Sequence, residues 1–547
     1  MNALAGAAVI TRLALRRDRI MLPAWVYLIT AGLAGTAYSF RKLYPTAATR
    51  LIFAVTGGGN PALRFLYGRL YGSSTGALTA WRYGIWAAIF GALMTIFIVI
   101  RHTRADEEAG RQELIGSAVV GRQAVLTAGL LTAATANLAV AVLLCLALPL
   151  TGLPAAGSVA LALAIAASGL AFTGITGVAA QLASGARGAR GLAFGLLGAA
   201  FVLRAIGDSA GPGGPAWLTW ASPLGWVELT RPFAGPRWWV LVLFLGLAAG
   251  GFLAAFALAA RRDYGAGLLP DRPGRATASA WLRGPLGLAW RLQRGTLASW
   301  AGGAACVFAV SGAAGKGIGS LLGSSAALRN EFTRLGGGTA ITSAYLAALM
   351  LLAGLAAAGY ATAAVLQLRA AETGGLAEPL LATAAGRLRW GLSQLAVAVA
   401  GAAVLLAVAG LAAGLGYGLR TGTLTGAGTL TGTGAGAAEP QAASLLGAGL
   451  AQLPAALVIA AVAMALVGVW PGGAVAGAWT VLGAVVVIDL FGQALGLSHW
   501  LLDVSPFTHA PRLPGGPVSA TPLLWLSLAA VAFAAVGLAA LRRRDLG

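Results

Sequence analysis

The sequence has the composition of a membrane protein. Of its 547 residues, 58% are hydrophobic and only 10% are charged, whereas a soluble domain carries about 25% charged residues, so a soluble globular protein is excluded. The two cysteines, Cys145 and Cys306, lie within apolar runs and predict neither a disulfide framework nor a thiolate metal site. The three histidines, His102, His499 and His509, are expected to be ordinary loop residues.

The N-terminal residues predict an amphipathic lead-in helix at the membrane surface over residues 1–19. Arg12, Arg16 and Arg19 fall on one helical stripe, and small apolar residues fall on the opposite side. An apolar run of full spanning length follows directly, which argues against a cleavable signal peptide.

Apolar runs of spanning length recur along the chain and predict an all-α polytopic membrane protein. A hydrocarbon core of about 30 Å needs roughly 20 apolar residues per helical span. Twelve spans are predicted, near residues 20–40, 81–100, 123–149, 156–182, 191–207, 238–260, 297–315, 341–366, 390–416, 445–469, 474–497 and 521–541.

The basic residues predict the orientation of these spans. The formal net charge is +21, and most of the 37 lysines and arginines lie in segments on the same side of the membrane as the termini. By the positive-inside rule, both termini of this multi-pass protein are expected on the cytoplasmic side of the cell membrane. The partner expected for the basic segments is the lipid bilayer, and no nucleic acid is predicted.

A cluster of charged residues follows the second predicted span. Residues 104–122 read RADEEAGRQELIGSAVVGR. Residues 104–119 predict a short helix with ion pairs between Glu107 and Arg111 and between Arg104 and Glu108. One interpretation is a solvated loop whose ion pairs contribute a few tenths of a kcal/mol each. The other is a docking helix for a cytoplasmic partner.

The cluster is repeated 265 residues later, in RAAETGGLAEPLLATAAGR at 369–387. The matched pairs are Arg104 with Arg369, Glu107 with Glu372, Gly110 with Gly375, Glu113 with Glu378, Gly121 with Gly386, and Arg122 with Arg387. Arg262 and Asp263 likewise match Arg544 and Asp545. Solvation does not require this spacing, whereas a partner with twofold symmetry needs two matching contacts, so docking is the preferred interpretation.

The repeat predicts two six-span halves, 1–270 and 271–547, related by an axis along the membrane normal. The second half is expected to have its own lead-in helix, over 277–296, and its own docking helix, over 369–384.

These features resemble the permease of an ABC-2 type exporter, specifically the actinobacterial group described as exporters of polyketide antibiotics, in which two six-span halves are fused. The resemblance covers essentially the whole chain. It rests on the lead-in, the E-E-x-G-R-x-E segment, the S-P-L-G-W stretch at 222–226 and the R-R-D-Y-G stretch at 261–265. It implies a type V exporter-like fold and ATP-driven efflux of amphipathic drugs or antibiotics.

The resemblance also implies a partner. In this family the segment after the second span is a coupling helix that rests in a groove of a separate ABC ATPase, here expected in two copies per permease. The residues that the resemblance assigns to ATPase coupling are Arg104, Glu107, Glu108, Gly110, Arg111, Glu113, Gly121, Arg122, Glu372, Gly375, Glu378, Gly386 and Arg387. Thr373 and Leu376 replace Glu108 and Arg111 in the second copy, so a weaker or different contact is expected there.

The chain itself is expected to be a transport subunit and not an enzyme. Its sequence has no G-x-x-x-x-G-K-[ST] stretch, so ATP and Mg are expected to bind to the partner, with no cofactor in this chain. The alternative is a proton-coupled twelve-span transporter, which would need several ionisable groups in the membrane. Only Asp489 lies well inside a predicted span. It is either an intramembrane functional site or a residue that hydrogen-bonds to Gln493 or faces a wet cavity near the outside. A membrane enzyme is a third possibility, but the carboxylates of the outer loops show no obvious grouping.

Overall fold

The computed structural model is helical and has no strand in the residues it describes, which are 3–59, 61–116, 118–209, 215–269, 277, 282, 284–323, 337–421, 442–491, 498–517 and 519–544. Eleven helices among these residues are long and apolar enough to cross a membrane. This confirms the prediction of an all-α polytopic membrane protein. The chain divides into two compact units, Met1–Gly274 and Arg275–Gly547.

The described residues of the first unit contain six helices of spanning length. Its helices are α1 (Ala7–Arg17), α2 (Met21–Leu43), α3 (Ala47–Gly59), α4 (Pro61–Tyr67), α5 (Thr75–Ile100), a π-helix (Arg101–Ala105), α6 (Asp106–Glu108), α7 (Arg111–Gly116), α8 (Ala124–Leu150), α9 (Ala155–Leu182), α10 (Ala186–Ser209), α11 (Trp217–Trp220), α12 (Gly225–Leu229) and α13 (Val240–Arg261). The core centres on α9, which packs against α5, α8 and α13.

The second unit repeats this packing. Its helices are α14 (Pro285–Gly323), α15 (Gly337–Thr373), α16 (Ala377–Leu381), α17 (Arg387–Thr421), α18 (Ala442–Leu450), α19 (Leu453–Val469), α20 (Ala474–Phe491), α21 (His499–Leu502), a 3-10 helix (Pro506–His509) and α22 (Ala520–Arg543). Here α19 packs against α15, α17 and α22. The central helix of each unit therefore has corresponding neighbours.

Two predicted elements differ from the structure. The span expected near 474–497 is represented by the shorter helix α20, and residues 492–497 lie outside the described residues. The second lead-in, expected over 277–296, is not separate, because α14 runs from Pro285 straight into the spanning segment. In the first unit the chain turns at the buried Asp18, whereas Gln293, at the matching position, pairs with Gln394 within a continuous helix.

Facing glycines bring the central helix and the last spanning helix of each unit into close contact. A Cβ atom added to Gly174 on α9 would lie 2.9 Å from the carbonyl oxygen of Ala248, and one added to Gly251 on α13 would lie 2.7 Å from the Gly174 backbone. Gly468 on α19 and Gly537 on α22 face each other in the same way. Small residues let helix backbones approach closely in a membrane, where packing holds helices together.

Replacing Gly251 by Ala is expected to lower the thermal unfolding midpoint of the purified protein in detergent, since overpacking costs about 1–3 kcal/mol. The matched control is Gly250→Ala on the same helix, because a Cβ atom there would meet nothing within 4 Å. The control is expected to leave the midpoint unchanged or to raise it slightly. Equal midpoints for the two variants would contradict the close contact.

Candidate coupling site after the second span

The charged segment after α5 is not one helix. The chain continues from α5 through the π-helix and α6 and then turns at Gly110 before α7 begins at Arg111. Gly110 has φ +68, in the left-handed region that favours glycine. The prediction of a continuous helix over 104–119 is therefore wrong, because a glycine turn breaks it in the middle.

The second copy has the same break. Helix α15 ends at Thr373, Gly375 has φ +69, and α16 follows. The continuous helix predicted over 369–384 is thus also wrong. The glycine shared by the two copies is explained by backbone conformation, since a side chain in the left-handed region costs roughly 1–2 kcal/mol.

Glu107 is held inside the first unit by an ion pair with the end of the last spanning helix. Its two carboxylate oxygens accept hydrogen bonds from the Arg262 guanidinium at 2.7 and 2.8 Å, and one also accepts from the Gly265 backbone N–H at 2.8 Å. Arg104 adds a contact at 3.2 Å. Only 3% of the Glu107 side chain is exposed. It therefore faces the interior of its own unit.

The cations around Glu107 have further partners. Arg262 also donates from Nε to the side-chain oxygen of Gln181 at 2.7 Å. Arg104 is buried and donates to backbone carbonyls at the end of α9. Arg122 donates to the carbonyl of Arg262 at 3.4 Å. These hydrogen bonds offset the cost of removing the charges from water. We call Arg104, Glu107, Arg122 and Arg262 the Glu107 latch.

The second unit has a latch built from the matching residues. Glu372 accepts a hydrogen bond from Arg369 at 2.9 Å and another from Arg544, the residue directly after α22. Arg387 donates to the backbone carbonyl of Arg544 at 2.6 Å. We call Arg369, Glu372, Arg387 and Arg544 the Glu372 latch. The repeated positions thus join corresponding helices in the two units: α5 to α13 in the first unit, and α15 to α22 in the second.

The ion pairs predicted along the first segment are replaced by others. Arg111 pairs with Asp106 at 2.6 Å and not with Glu107. Glu108 accepts a hydrogen bond at 2.8 Å from the backbone N–H of Ala186, the first residue of α10. A negative charge is favourable at a helix N-terminus. The π-helix and the Gly110 turn alter the helical register, which separates the expected i, i+4 partners.

Exposed residues of the two copies lie on both sides of the glycine turns, with Glu108 and Thr373 before them. In the first copy Glu113 is exposed, as is 54% of the Arg111 side chain. In the second copy Gly375, Glu378 and Gly386 are exposed. We call residues 110–113 and 375–378 the two tips. Both tips contain exposed predicted coupling residues that a partner could touch.

A buried polar network joins α1 to the end of α5, and the sequence analysis missed it. His102 Nε2 lies 2.6 Å from the buried carboxylate of Asp18, and Arg17 lies 2.9 Å from Asp106. The hydrogen bond from Arg17 to Asp106 raises the pKa of Arg17. Gly121, a predicted coupling residue, is also buried. Its N–H donates a hydrogen bond to the carbonyl of Ala5, in the turn before α1.

The expectation that His102 is a loop residue is wrong, because the helix runs past the predicted end of its span and only 5% of His102 is exposed. The i, i+4 spacing of His102 and Asp106 was the available signal in the sequence. The two ring nitrogens of His102 lie between two carboxylates, with Nδ1 3.9 Å from Asp106.

Asp489 has a hydrogen-bond partner in the loop that follows its helix. It lies near the end of α20 and accepts from the Ser505 hydroxyl at 2.8 Å. Gln493, the partner considered from the sequence, lies outside the described residues. In the first unit Asp208, at the end of α10, accepts from the Thr219 hydroxyl at 2.8 Å. Each acid thus fastens a loop to its helix. The described residues contain no cluster of potential metal ligands.

This chain is similar to a known family over its second half and to a known protein over nearly its whole length. Residues 282–542 match the family described as "Multidrug efflux system permease Rv1217c, C-terminal domain". The chain is also 43% identical over 542 residues to the multidrug efflux system permease protein Rv1217c of Mycobacterium tuberculosis (strain ATCC 25618 / H37Rv), an alignment that covers 99% of this chain and 95% of that protein. The chain belongs to the family of this permease. It is accordingly a permease of the multi-pass membrane type.

In this permease, breaking the Glu107 latch is expected to destabilise the first unit. Glu107→Ala leaves Arg262, whose side chain is 14% exposed, without its carboxylate, and breaking a buried pair costs roughly 3–5 kcal/mol. The thermal unfolding midpoint in detergent should therefore fall. Glu113→Ala, at an exposed acid of the same segment, is the control and should leave the midpoint unchanged.

A double-mutant cycle checks that the effect belongs to the pair. Glu107→Ala and Arg262→Ala together should cost clearly less than the sum of the two single variants, because each single variant already removes the ion pair. Strict additivity would show that the two side chains do not stabilise each other.

Proposed function

We propose that this chain is the membrane subunit of an ATP-driven ABC exporter that moves amphipathic drugs or antibiotics out of the cell. The family relation supports drug efflux, since the Mycobacterium tuberculosis relative is named as a multidrug efflux system permease. The sequence has no G-x-x-x-x-G-K-[ST] stretch, which supports a separate ATPase subunit as the one that binds ATP and Mg.

The observation that carries the proposal is the pairing of an exposed tip with a buried latch in each unit. In the first unit the tip follows α5 through the π-helix and α6, and Glu107, three residues before the tip, is ion-paired with Arg262 at the end of α13. In the second unit Glu372 and Arg544 join α15 to α22. A soluble motor that pushes a tip therefore acts on two spanning helices together, which favours a switch between inward-open and outward-open states.

Two tips fit two copies of the ATPase, one for each unit. The contacts are not equivalent. The first tip carries Arg111, whereas the second tip carries Leu376, which is 71% exposed. The first contact is therefore polar and the second is partly apolar. We assign both tips to the cytoplasmic side of the membrane, because most of the basic residues lie in segments on the side of the tips.

Reversing the charge of both tips is expected to weaken ATPase binding without unfolding the permease. The variant is Glu113→Lys combined with Glu378→Lys, since both residues are exposed. Co-purification of an ABC ATPase co-expressed with the permease should fall, while the unfolding midpoint stays at the wild-type value. Asp503→Lys, an exposed acid in a distant loop, is the control. If the double variant co-purifies with as much ATPase as the wild type does, the tips are not part of the ATPase interface.

The source of energy separates the proposal from the proton-coupled alternative. Inverted vesicles that contain the permease and its ATPase should accumulate an amphipathic drug only when ATP and Mg are supplied, with or without a pH gradient. Drug transport by the permease alone in ATP-depleted vesicles under a pH gradient would overturn the ATP-driven assignment.

A further inference from the structure

A polar cluster lies at the end of the first unit that is remote from the Glu107 latch. Helix α5 has 26 residues, so its two ends are about 39 Å apart at 1.5 Å per residue. Near its first residue, Thr75, three other parts of the unit come together: the segment after α4, the end of α10, and the residues around α12. None of these residues belongs to the latch or to its tip.

Two acids and two arginines of this cluster are paired. The side chains of Arg204 and Asp208 are fully buried and lie 3.4 Å apart. The Arg69 guanidinium donates to the carbonyl of Gly207 at 2.7 Å, and its Nε lies 3.7 Å from Asp208. Glu228 accepts a hydrogen bond from the Arg69 backbone N–H at 3.0 Å. The Arg69 and Arg204 guanidinium groups thus have acceptors within the cluster.

The pKa of Glu228 is raised by its surroundings. Burial, followed by the negative charge of Asp208, raises the pKa of Glu228 well above its usual value. A raised pKa favours the protonated carboxyl group, which does not repel an anion. Burial also raises the pKa of the neighbouring Tyr71, which favours its protonated hydroxyl group.

Arg231 differs from the other two arginines, because it has no carboxylate partner among the described residues. Its guanidinium lies over the Tyr71 ring at 4.5 Å, and its buried Nε has no acceptor there. Its backbone is in the left-handed region, with φ +49, and is fixed by a hydrogen bond from its N–H to the carbonyl of Glu228 at 2.9 Å. A buried donor without an acceptor and a strained backbone are both features of functional sites.

Arg231, Arg69, Glu228 and Tyr71 line a partly open cavity of about 30 Å³. We propose that this cavity is a binding site for a phosphate group, presented by a lipid headgroup or as free phosphate. The planar guanidinium of Arg231 matches two phosphate oxygens, and the Tyr71 hydroxyl supplies a further donor. The cavity is small, so the phosphate enters from its open side and the rest of the ligand stays outside.

The site is independent of the ATPase, so it can be tested on the purified permease alone. The probes are inorganic phosphate and a water-soluble short-chain phosphatidylglycerol, each compared with sodium chloride at equal ionic strength. A ligand that binds only the folded state raises the thermal unfolding midpoint. The wild-type protein should show a saturable rise with at least one of the phosphate probes and none with sodium chloride.

Arg231→Gln should weaken this response by roughly 10-fold or more in half-saturating concentration, as expected for the loss of charge-assisted hydrogen bonds. Arg82→Gln is the matched control, because Arg82 also lies over a tyrosine ring, that of Tyr67 at 4.2 Å, but is exposed and does not line the cavity. It should respond as the wild type does.

The two probes distinguish the sources of the phosphate. A response to both probes indicates free phosphate, and a response to phosphatidylglycerol alone indicates a lipid headgroup. Should Arg231→Gln fail to fold, Arg231→Lys keeps the charge but removes the two-pronged contact, and it should also weaken the response. A rise no larger than that with sodium chloride, or a wild-type response in the folded Arg231 variant, would overturn the site.

Discussion

The buried ion pair between Glu107 and Arg262 is the constraint on which the coupling end of the first unit depends. The two residues are 155 positions apart in the sequence, yet they join the end of α5 to the end of α13. Removing one charge strands the other in a poorly hydrated place, so the two helix ends stay together. Glu372 and Arg544 impose the same condition on the second unit.

The repeated and the diverged positions of the two segments have different roles. Glu107 and Glu372 are matched and buried, and the glycines that follow them share one backbone conformation, so the repeat preserves the internal construction of each unit. The copies differ where Glu108 is replaced by Thr373 and Arg111 by Leu376. These differences lie outside the latches. They change the side chains beside the two tips and on them, whereas the ion pairs that join the helix ends are retained.

Bilayer thickness explains why the spans could be predicted from the sequence. Each span needs an apolar run of similar length, and such runs appear as helices in the structure, with α20 the short exception. The repeat also showed that Glu107 and Glu372 occupy matching positions. It did not show that their side chains face the interior of their own units. That direction depends on Arg262 and Arg544, and local periodicity carries no information on contacts between distant segments. No sequence pattern predicts the π-helix before Asp106. This π-helix changes the helical register, so the ion pairs form between other residues than those expected.

The facing glycines on α9 and α13 give the last spanning helix an unusual kind of contact. Helices that interlock through ridges and grooves resist sliding, because side chains must leave their holes before one helix can pass the other. At Gly174 and Gly251 two smooth backbones meet instead. Any rotation of α13 against α9 would therefore meet no interlocking side chains at this contact, whereas Arg262 ties the end of α13 to the end of α5.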